Sequence, residues 1–537
     1  MRSRLNTTGV GFILLFQFLA FVLQAPAQEL ETNMIKYGRV MQLIQNYYVD
    51  TTNISKLTED AISKVLSELD PHSVYISKEE VEEMNEPLEG SFEGIGISFN
   101  ILRDTLLVVT TIPGGPSEKV GLMPGDRILY VDNKLIAGTG LKNSDVMNML
   151  RGEKGTRVDL RVLRTKEPEL LDFSIIRDKI PINSLDASYM FDDKTGYVKL
   201  NRFSATTISE FSEAIKKLKE NPGFTNLILD LRGNGGGYLK AAIGVADQFL
   251  GSYQLVVYTQ GIHESRKDYR ASALGQFENG RLVVLIDESS ASASEIVSGA
   301  IQDWDRGLII GRRSFGKGLV QQPFPLNDGA MIRLTTAHYY TPSGRCIQKP
   351  YDKGIEAYRN DYLNRLENGE LFSKDSIHQD KKQVYQTLKN KRSVYGGGGI
   401  MPDLFVPLDT SSLYQYYNQL NRKNILYTKT LDYLVANRES LSLKYKNFEA
   451  FRDNFEVNDV LVNGMIDEAE KEGIKRDAEG IAFARPLIKK LVKALLARDL
   501  FDPGCYYQIM NEDENIIKKA LEVIEAPDKY EKFLVAK

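Results

Sequence analysis

Between Tyr197 and Ile301 short apolar runs alternate with amphipathic helices, and that alternation leaves few architectures open. YVKL leads into TTISEFSEAIKKLKE, NLILDL into GYLKAAIGVADQFL, and LVVLID into ASASEIVSGAI. Strands that alternate with helices bury both faces of a mostly parallel sheet, so the pattern predicts an α/β layered core. The turns at the strand ends carry the chemical information. DLRGNGGG (Asp230 to Gly237) sets three consecutive glycines where a backbone can approach a ligand and aim its N–H groups, although a plain tight turn uses the same residues. DESSASASEIVSGAI (Asp287 to Ile301) puts Ser292 near a helix N-terminus, where unpaired N–H groups and the helix dipole favour negative charge. Ordinary N-capping is the competing account of each serine there, and Ser294 followed by Glu295 suits it best. GRRSFGKG (Gly311 to Gly318) approaches the phosphate-loop spacing but has Gly318 where Ser or Thr would hold magnesium, which weakens a nucleotide-dependent reading.

The 537 residues exceed one ordinary core, and the chain divides by composition. Residues 1–27 read as a signal peptide: Arg2 and Arg4, the twelve-residue apolar run Phe12 to Leu23, then Ala25-Pro26-Ala27. That run is short of the roughly 20 residues a membrane anchor needs, so the expectation is an exported protein, periplasmic or envelope-associated. Residues 28–85 form an N-terminal helical segment, with Val40, Leu43, Ile44 and Tyr47 at helical spacing and a turn at LDPHSVY. Residues 86–168 are a β-rich module of short runs (EGIGISF, LLVVTTI, ILYVDN, VDLRVLR) separated by PGGP and PGD turns. The α/β core occupies 169–350, a charged insert with a Gly-rich end 351–400, and a helical region 401–537.

Several function classes drop out. With 68 basic against 72 acidic residues the formal charge is −4, which argues against a nucleic-acid partner. The four histidines, His72, His263, His338 and His378, avoid the Gly-rich and Ser-rich turns, and there is no H-E-x-x-H or Cys pair, so neither a metal nor a cofactor is expected. Cys346 and Cys505 make no disulfide framework, and a single bridge between them stays open. A Ser nucleophile here lacks a nearby His. A neutral Lys such as Lys317, set between Gly316 and Gly318 after an apolar strand, can take that place.

SASASEI, followed twenty-five residues after Ser292 by the Lys of SFGKGLVQ, resembles the carboxyl-terminal processing proteases, also called tail-specific proteases. DLRGNGGG and LDPHSVY resemble family segments, and GLMPGDRILYVDN resembles the PDZ domain, giving a match over roughly residues 35 to 350. The resemblance implies a crotonase/ClpP-like ββα spiral as the protease core, with the PDZ domain inserted. It implies Ser292 as nucleophile, Lys317 as general base and Gln321 as the residue that orients the lysine. Backbone N–H groups of Gly236 and Ala293 would form the oxyanion hole, although Gly235 stands where many members have another residue. In the PDZ domain, Gly94, Ile95, Gly96 and Ile97 would hold a substrate C-terminus. The implied partners are protein or peptide substrates with free C-termini. The helical region 401–537 could bind a second copy or an adaptor, or cap the protease domain. The competing function is a non-catalytic or partner-activated PDZ scaffold.

Overall fold

The computed structural model describes residues 28–165, 167–273, 275–377, 383–409 and 413–535, so residues 1–27, read above as a signal peptide, and His378 lie outside the described residues. Two units are distinct, Met1–Tyr75 and Ile76–Lys537. The described part of the first is helical, with a helix over 28–47 and another over Ile54–Ser67 that starts on Asn53, whose side chain accepts from the Lys56 amide. The stripe expected at helical spacing does lie on the first helix, where Val40, Leu43 and Tyr47 are exposed. Asp70 turns the chain by accepting from the amides of His72 and Ser73 at 2.7 and 2.9 Å. Among the described residues no helix is long and apolar enough to cross a membrane.

The larger unit is built on a six-stranded sheet in the order Leu185–Met190, Thr195–Leu200, Asn226–Asp230, Arg281–Ile286, Leu308–Gly311, Leu404–Phe405. The first pair is antiparallel and the rest are parallel. Burial on both faces explains why the strands read as continuous apolar runs. Along Arg281–Ile286, Leu282, Val284 and Ile286 face the helices Thr207–Leu218, Leu239–Asp247 and Ala293–Asp303, and Val283 and Leu285 face the opposite way. That opposite face is covered by the last two helices, Asn515–Ile524 and Pro527–Leu534, through Ile516, Ile517, Ile524 and Leu534. The last two helices therefore belong to the α/β core. A second sheet packs beside it, with Met331–Tyr340 between the hairpin partner Leu319–Pro325 and Leu255–Gln260, which in turn pairs with Lys267–Arg270.

The β-rich module is tied to the core by its own stalk, since Ser91–Gly94 pairs antiparallel with Asp178–Pro181. Its sheet runs past residue 168, because Leu171–Ile176 pairs residue for residue with Arg157 to Val162. In Leu106–Thr111 the first four residues are all buried, which an isolated small domain would not require. Leu106 and Val108 enter the module's own core, while Leu107 and Val109 enter the core of the C-terminal helices, alongside Leu431, Leu434 and Leu496. Arg438 donates to Val109 O at 3.1 Å and to Asp499 O at 3.0 Å, locking strand to helices. Of the roles open for 401–537, the structure shows a brace against the β-rich module and, through its last helices, a cover for the core sheet. Cys346 and Cys505 are both free thiols, so the bridge left open by the sequence is absent.

Candidate active site

The helix Ala293–Asp303 starts the site. Every one of its residues is buried, which accounts for its small side chains: Gly299 lies where a Cβ would stand 2.8 Å from Thr341. Ser292 precedes it with φ of 54° and ψ of −110°, a conformation unusual for any residue but glycine and held here from several sides. The Ala291 amide donates to Asn234 O at 3.0 Å, the Ser292 amide donates to Glu295 Oε2 at 2.8 Å, and Ser292 O accepts from the Ile296 amide at 3.0 Å and the Tyr339 hydroxyl at 3.1 Å.

The Gly-rich turn lies directly against this serine. A Cβ on Gly236 would stand 2.8 Å from Ser292 Cβ and 3.0 Å from Ala293 N, and its φ of +105° also favours glycine. Gly235 has open space around it, so a side chain there is tolerated. The Gly236 amide donates to Asn234 Oδ1 at 2.9 Å, and Asn234 Nδ2 donates to Leu200 O at 3.1 Å. Ala293 is the first helical residue, and its N–H has no acceptor within its own helix. Ser294, read as a capping serine, instead donates to Asn234 O at 2.8 Å and ties the two turns together.

Lys317 comes from the segment after Leu308–Gly311 and is half-buried. Its amide donates to Glu295 Oε2 at 2.9 Å, and its carbonyl accepts from Tyr339, the same hydroxyl that reaches Ser292 O. Glu295 is fully buried and holds four donors. Oε1 accepts from Ser314 Oγ at 2.5 Å and Gly316 N at 2.7 Å, while Oε2 accepts from Ser292 N and Lys317 N. Burial pushes its carboxyl above the usual range, and those donors counter only part of that. Gln321 sits on Leu319–Pro325, opposite Thr335 and just past a slip in register, and its Nε2 donates to Thr335 Oγ1 at 3.4 Å. Glu295, Asn234 and Tyr339 were missed as site residues. For Glu295 the signal was present, a Ser with Glu three residues on, but it reads equally as a cap. Tyr339 had no signal, being one of several apolar or aromatic residues in MIRLTTAHYY.

The strand end that feeds the Gly-rich turn is fixed by a buried ion cluster. Asp230 accepts from Tyr197 at 2.7 Å and from Arg232 Nη2 at 2.6 Å, with Lys199 Nζ 3.4 Å away, and Arg232 reaches on to Glu514 at 3.1 Å. Burial alone would push the Asp230 carboxyl up, but Arg232 and Lys199 outweigh it and hold the group well below the usual range. Stability from a depressed carboxyl is present above its unfolded pKa of about 3.9 and is lost as pH falls toward the folded value. Asp230→Asn leaves Lys199 without its counter-charge and Arg232 with Glu514 alone. We expect it to cost about 3–5 kcal/mol at neutral pH in urea unfolding, with the gap to wild type closing below about pH 4.

The PDZ-like groove is equally defined. Gly94 ends the stalk strand, Ile95 is in the module's core, and Gly96, with φ of +74°, turns the chain into the strand Ile97–Ile101. Among the described residues that strand pairs on one side only, with Leu106–Thr111. Between its start and the helix Asn143–Leu150 lies an apolar cavity of about 120 Å³ lined by Ile95, Ile97, Phe99, Met147 and Leu150. Arg151 stands at its margin with its guanidinium 4.9 Å over the Phe92 ring and is paired with Glu86. Among the described residues no group of His, Cys, Asp or Glu could hold a metal ion.

Comparison with known proteins agrees with this layout. Residues 194–357 match the model of peptidase family S41 and residues 94–175 that of the PDZ domain, while 416–502 match a family of unknown function (DUF8443). The carboxy-terminal-processing protease of Bartonella bacilliformis is 37% identical over 343 residues, covering 62% of this chain and 78% of that protein. The carboxy-terminal processing protease CtpB of Bacillus subtilis is 32% identical over 431 residues, 78% of this chain and 88% of that one. Among solved structures, the photosystem II D1 C-terminal processing protease is 29% identical and covers 58% of this chain and 89% of that one, with a TM-score of 0.34. Fold, turns and domain order thus define a serine peptidase of family S41 that carries a PDZ domain. The chain belongs to the carboxy-terminal processing protease family.

Proposed function

We propose that the protein is an exported serine endopeptidase that cleaves substrates recognised by their C-terminal tails, using Ser292 and Lys317 as a catalytic dyad. One observation carries this reading: a single buried carboxylate oxygen, Glu295 Oε2, accepts from the amides of both Ser292 and Lys317, so the two segments are fixed to one point. Neutral Lys317 takes the Ser292 hydroxyl proton as the oxygen attacks the peptide carbonyl. The developing oxyanion is held by the amides of Ala293 and Gly236, the latter exchanging Asn234 Oδ1 for the substrate oxygen. The protonated lysine then gives its proton to the leaving amine, and the remaining acyl-Ser292 ester is hydrolysed by water. Gln321 donates to Thr335 with its amide nitrogen, which leaves its oxygen to orient the lysine. The recurrence of strand, turn and helix around the sheet supports a ββα spiral for this core, and residues 1–27 support export.

The unpaired edge of Ile97–Ile101 is suited to add an extended peptide as a strand, with an apolar terminal side chain in the cavity and the carboxylate at the turn Gly94–Ile97. The test is digestion of an unfolded protein ending in an apolar residue, with the same protein carrying a C-terminal amide as control. Charge-assisted hydrogen bonds are each worth about 1.5–3 kcal/mol, so amidation should raise KM by about 10-fold or more with little change in kcat. Equal KM for the two tails removes the tail-recognition reading, and cleavage that survives Ser292→Ala removes Ser292 as the nucleophile.

A further inference from the structure

The segment between Gly311 and Leu319 has no helix or strand, yet Ser314, Gly316 and Gly318 are buried. Buried backbone groups need partners, so each one can be traced. On the donor side, the amides of Ser314 and Phe315 reach Ile400 O and Ser290 O, those of Gly316 and Lys317 reach Glu295, and that of Gly318 reaches Gln348 Oε1. On the acceptor side, Gly316 O takes the Lys349 amide, Lys317 O takes the Tyr339 hydroxyl and Gly318 O takes the Tyr339 amide. The three carbonyls just before them all go to one side chain. Arg365 Nη1 donates to Arg313 O at 3.2 Å and Ser314 O at 2.9 Å, and Nη2 donates to Phe315 O at 3.2 Å.

Arg365 lies in the helix Asp361–Glu367, within the charged insert that follows the protease core, and is only 2% exposed. Its charge is balanced locally. Asp361 Oδ2 lies 2.9 Å from its Nε and also 2.9 Å from Lys349 Nζ, and Lys349 stands 3.9 Å over the Phe315 ring. Glu370 completes the set, 3.9 Å from Arg365 and bonded to Arg313 at 2.6 and 2.8 Å. The loop that carries Lys317 is thus held between two buried side chains of opposite hydrogen-bonding character. Glu295 takes its amides and Arg365 its carbonyls. The planar fork of a guanidinium, with five donors in fixed directions, suits this span of three successive carbonyls.

We propose that Arg365 is a positioning residue for Lys317: by holding the carbonyls of Arg313, Ser314 and Phe315 it fixes the path of the loop and so the placement of the lysine against Ser292. The assignment rests on the reading of Lys317 as the general base. A displacement of about 1 Å in a catalytic group costs about 100-fold in rate, and Arg365 bonds the lysine loop and does not line the apolar cavity of the PDZ domain, so its loss appears in kcat and leaves tail binding alone.

The test uses the purified protein, a fluorogenic peptide with an apolar free C-terminus, and a fluorophosphonate that labels an activated serine. Arg365→Met should lower kcat by about 10-fold or more with KM within about 3-fold, and slow Ser292 labelling in the same ratio; Arg365→Lys should fall between the two in both readouts. Folded fractions are read from far-ultraviolet dichroism and kcat is expressed per folded enzyme. Should Arg365→Met fail to fold, Arg365→Lys decides alone, a lower kcat at unchanged KM supporting the assignment and a wild-type kcat overturning it. Arg365→Met at wild-type kcat, with Lys317→Ala inactive, overturns the Arg365 assignment alone. Lys317→Ala at full rate overturns the general-base reading and this inference with it.

Discussion

Alanine at Ser292 or at Lys317 is expected to lower kcat/KM on a tailed peptide by about 10,000-fold, and the double variant no further than either single one. Nucleophile and base act as a unit, so once one is gone the other has nothing to do. What remains is the rate that binding and the oxyanion donors supply. The structure adds a second readout that separates chemistry from backbone strain. Ser292 is held at φ 54° by its own bonds to Glu295 and Tyr339 and by the Ala291 amide on Asn234 O. Ser292→Ala keeps that strain, whereas Ser292→Gly relieves it, so the glycine variant should be the more stable by about 1 kcal/mol or more while both are inactive. A Lys317→Ala enzyme within 10-fold of wild type would falsify the dyad.

What the sequence revealed and what it hid follow from how far each contact reaches along the chain. The strand-to-helix alternation from Tyr197 to Ile301 is local, and it forecast the layered core and the turns that bear Ser292 and the glycines. Leu106–Thr111 was legible as a strand, but its second buried face is supplied by helices more than three hundred residues on, as the Arg438 to Val109 bond shows with a separation of 329. The helices Asn515–Ile524 and Pro527–Leu534 look like any amphipathic pair, and nothing in them names the sheet they cover. The strand Leu171–Ile176 follows the polar run Lys166 to Glu169, which reads as a boundary but lies between two paired strands of one sheet. Arg365 is one more charge in a charged stretch until the fold carries it fifty residues back to Phe315.

Glu295→Gln is the sharper test of how the site is assembled, because it removes a charge and almost no volume. Each carboxylate oxygen accepts from two donors, Ser314 Oγ with Gly316 N on Oε1 and Ser292 N with Lys317 N on Oε2. Gln has one oxygen and one NH2, so whichever way it turns, two donors meet a donor. An unsatisfied buried donor costs about 1–3 kcal/mol, so the variant should lose about 2–5 kcal/mol in urea unfolding. The loosened Ser292 and Lys317 segments should lower kcat by about 100-fold. The pH dependence has a definite sign. Burial raises the folded-state pKa of Glu295, so the folded protein holds this proton more tightly than the unfolded chain. The carboxyl's contribution is therefore complete below its unfolded pKa of about 4.3 and declines as pH rises through the folded value. Gln does not titrate, so the stability gap between variant and wild type should be widest near pH 4 and narrow toward neutrality. A gap that instead widens with pH would mean that the four donors outweigh burial and hold Glu295 ionised, while a variant with wild-type kcat would remove Glu295 from the assembly of the site.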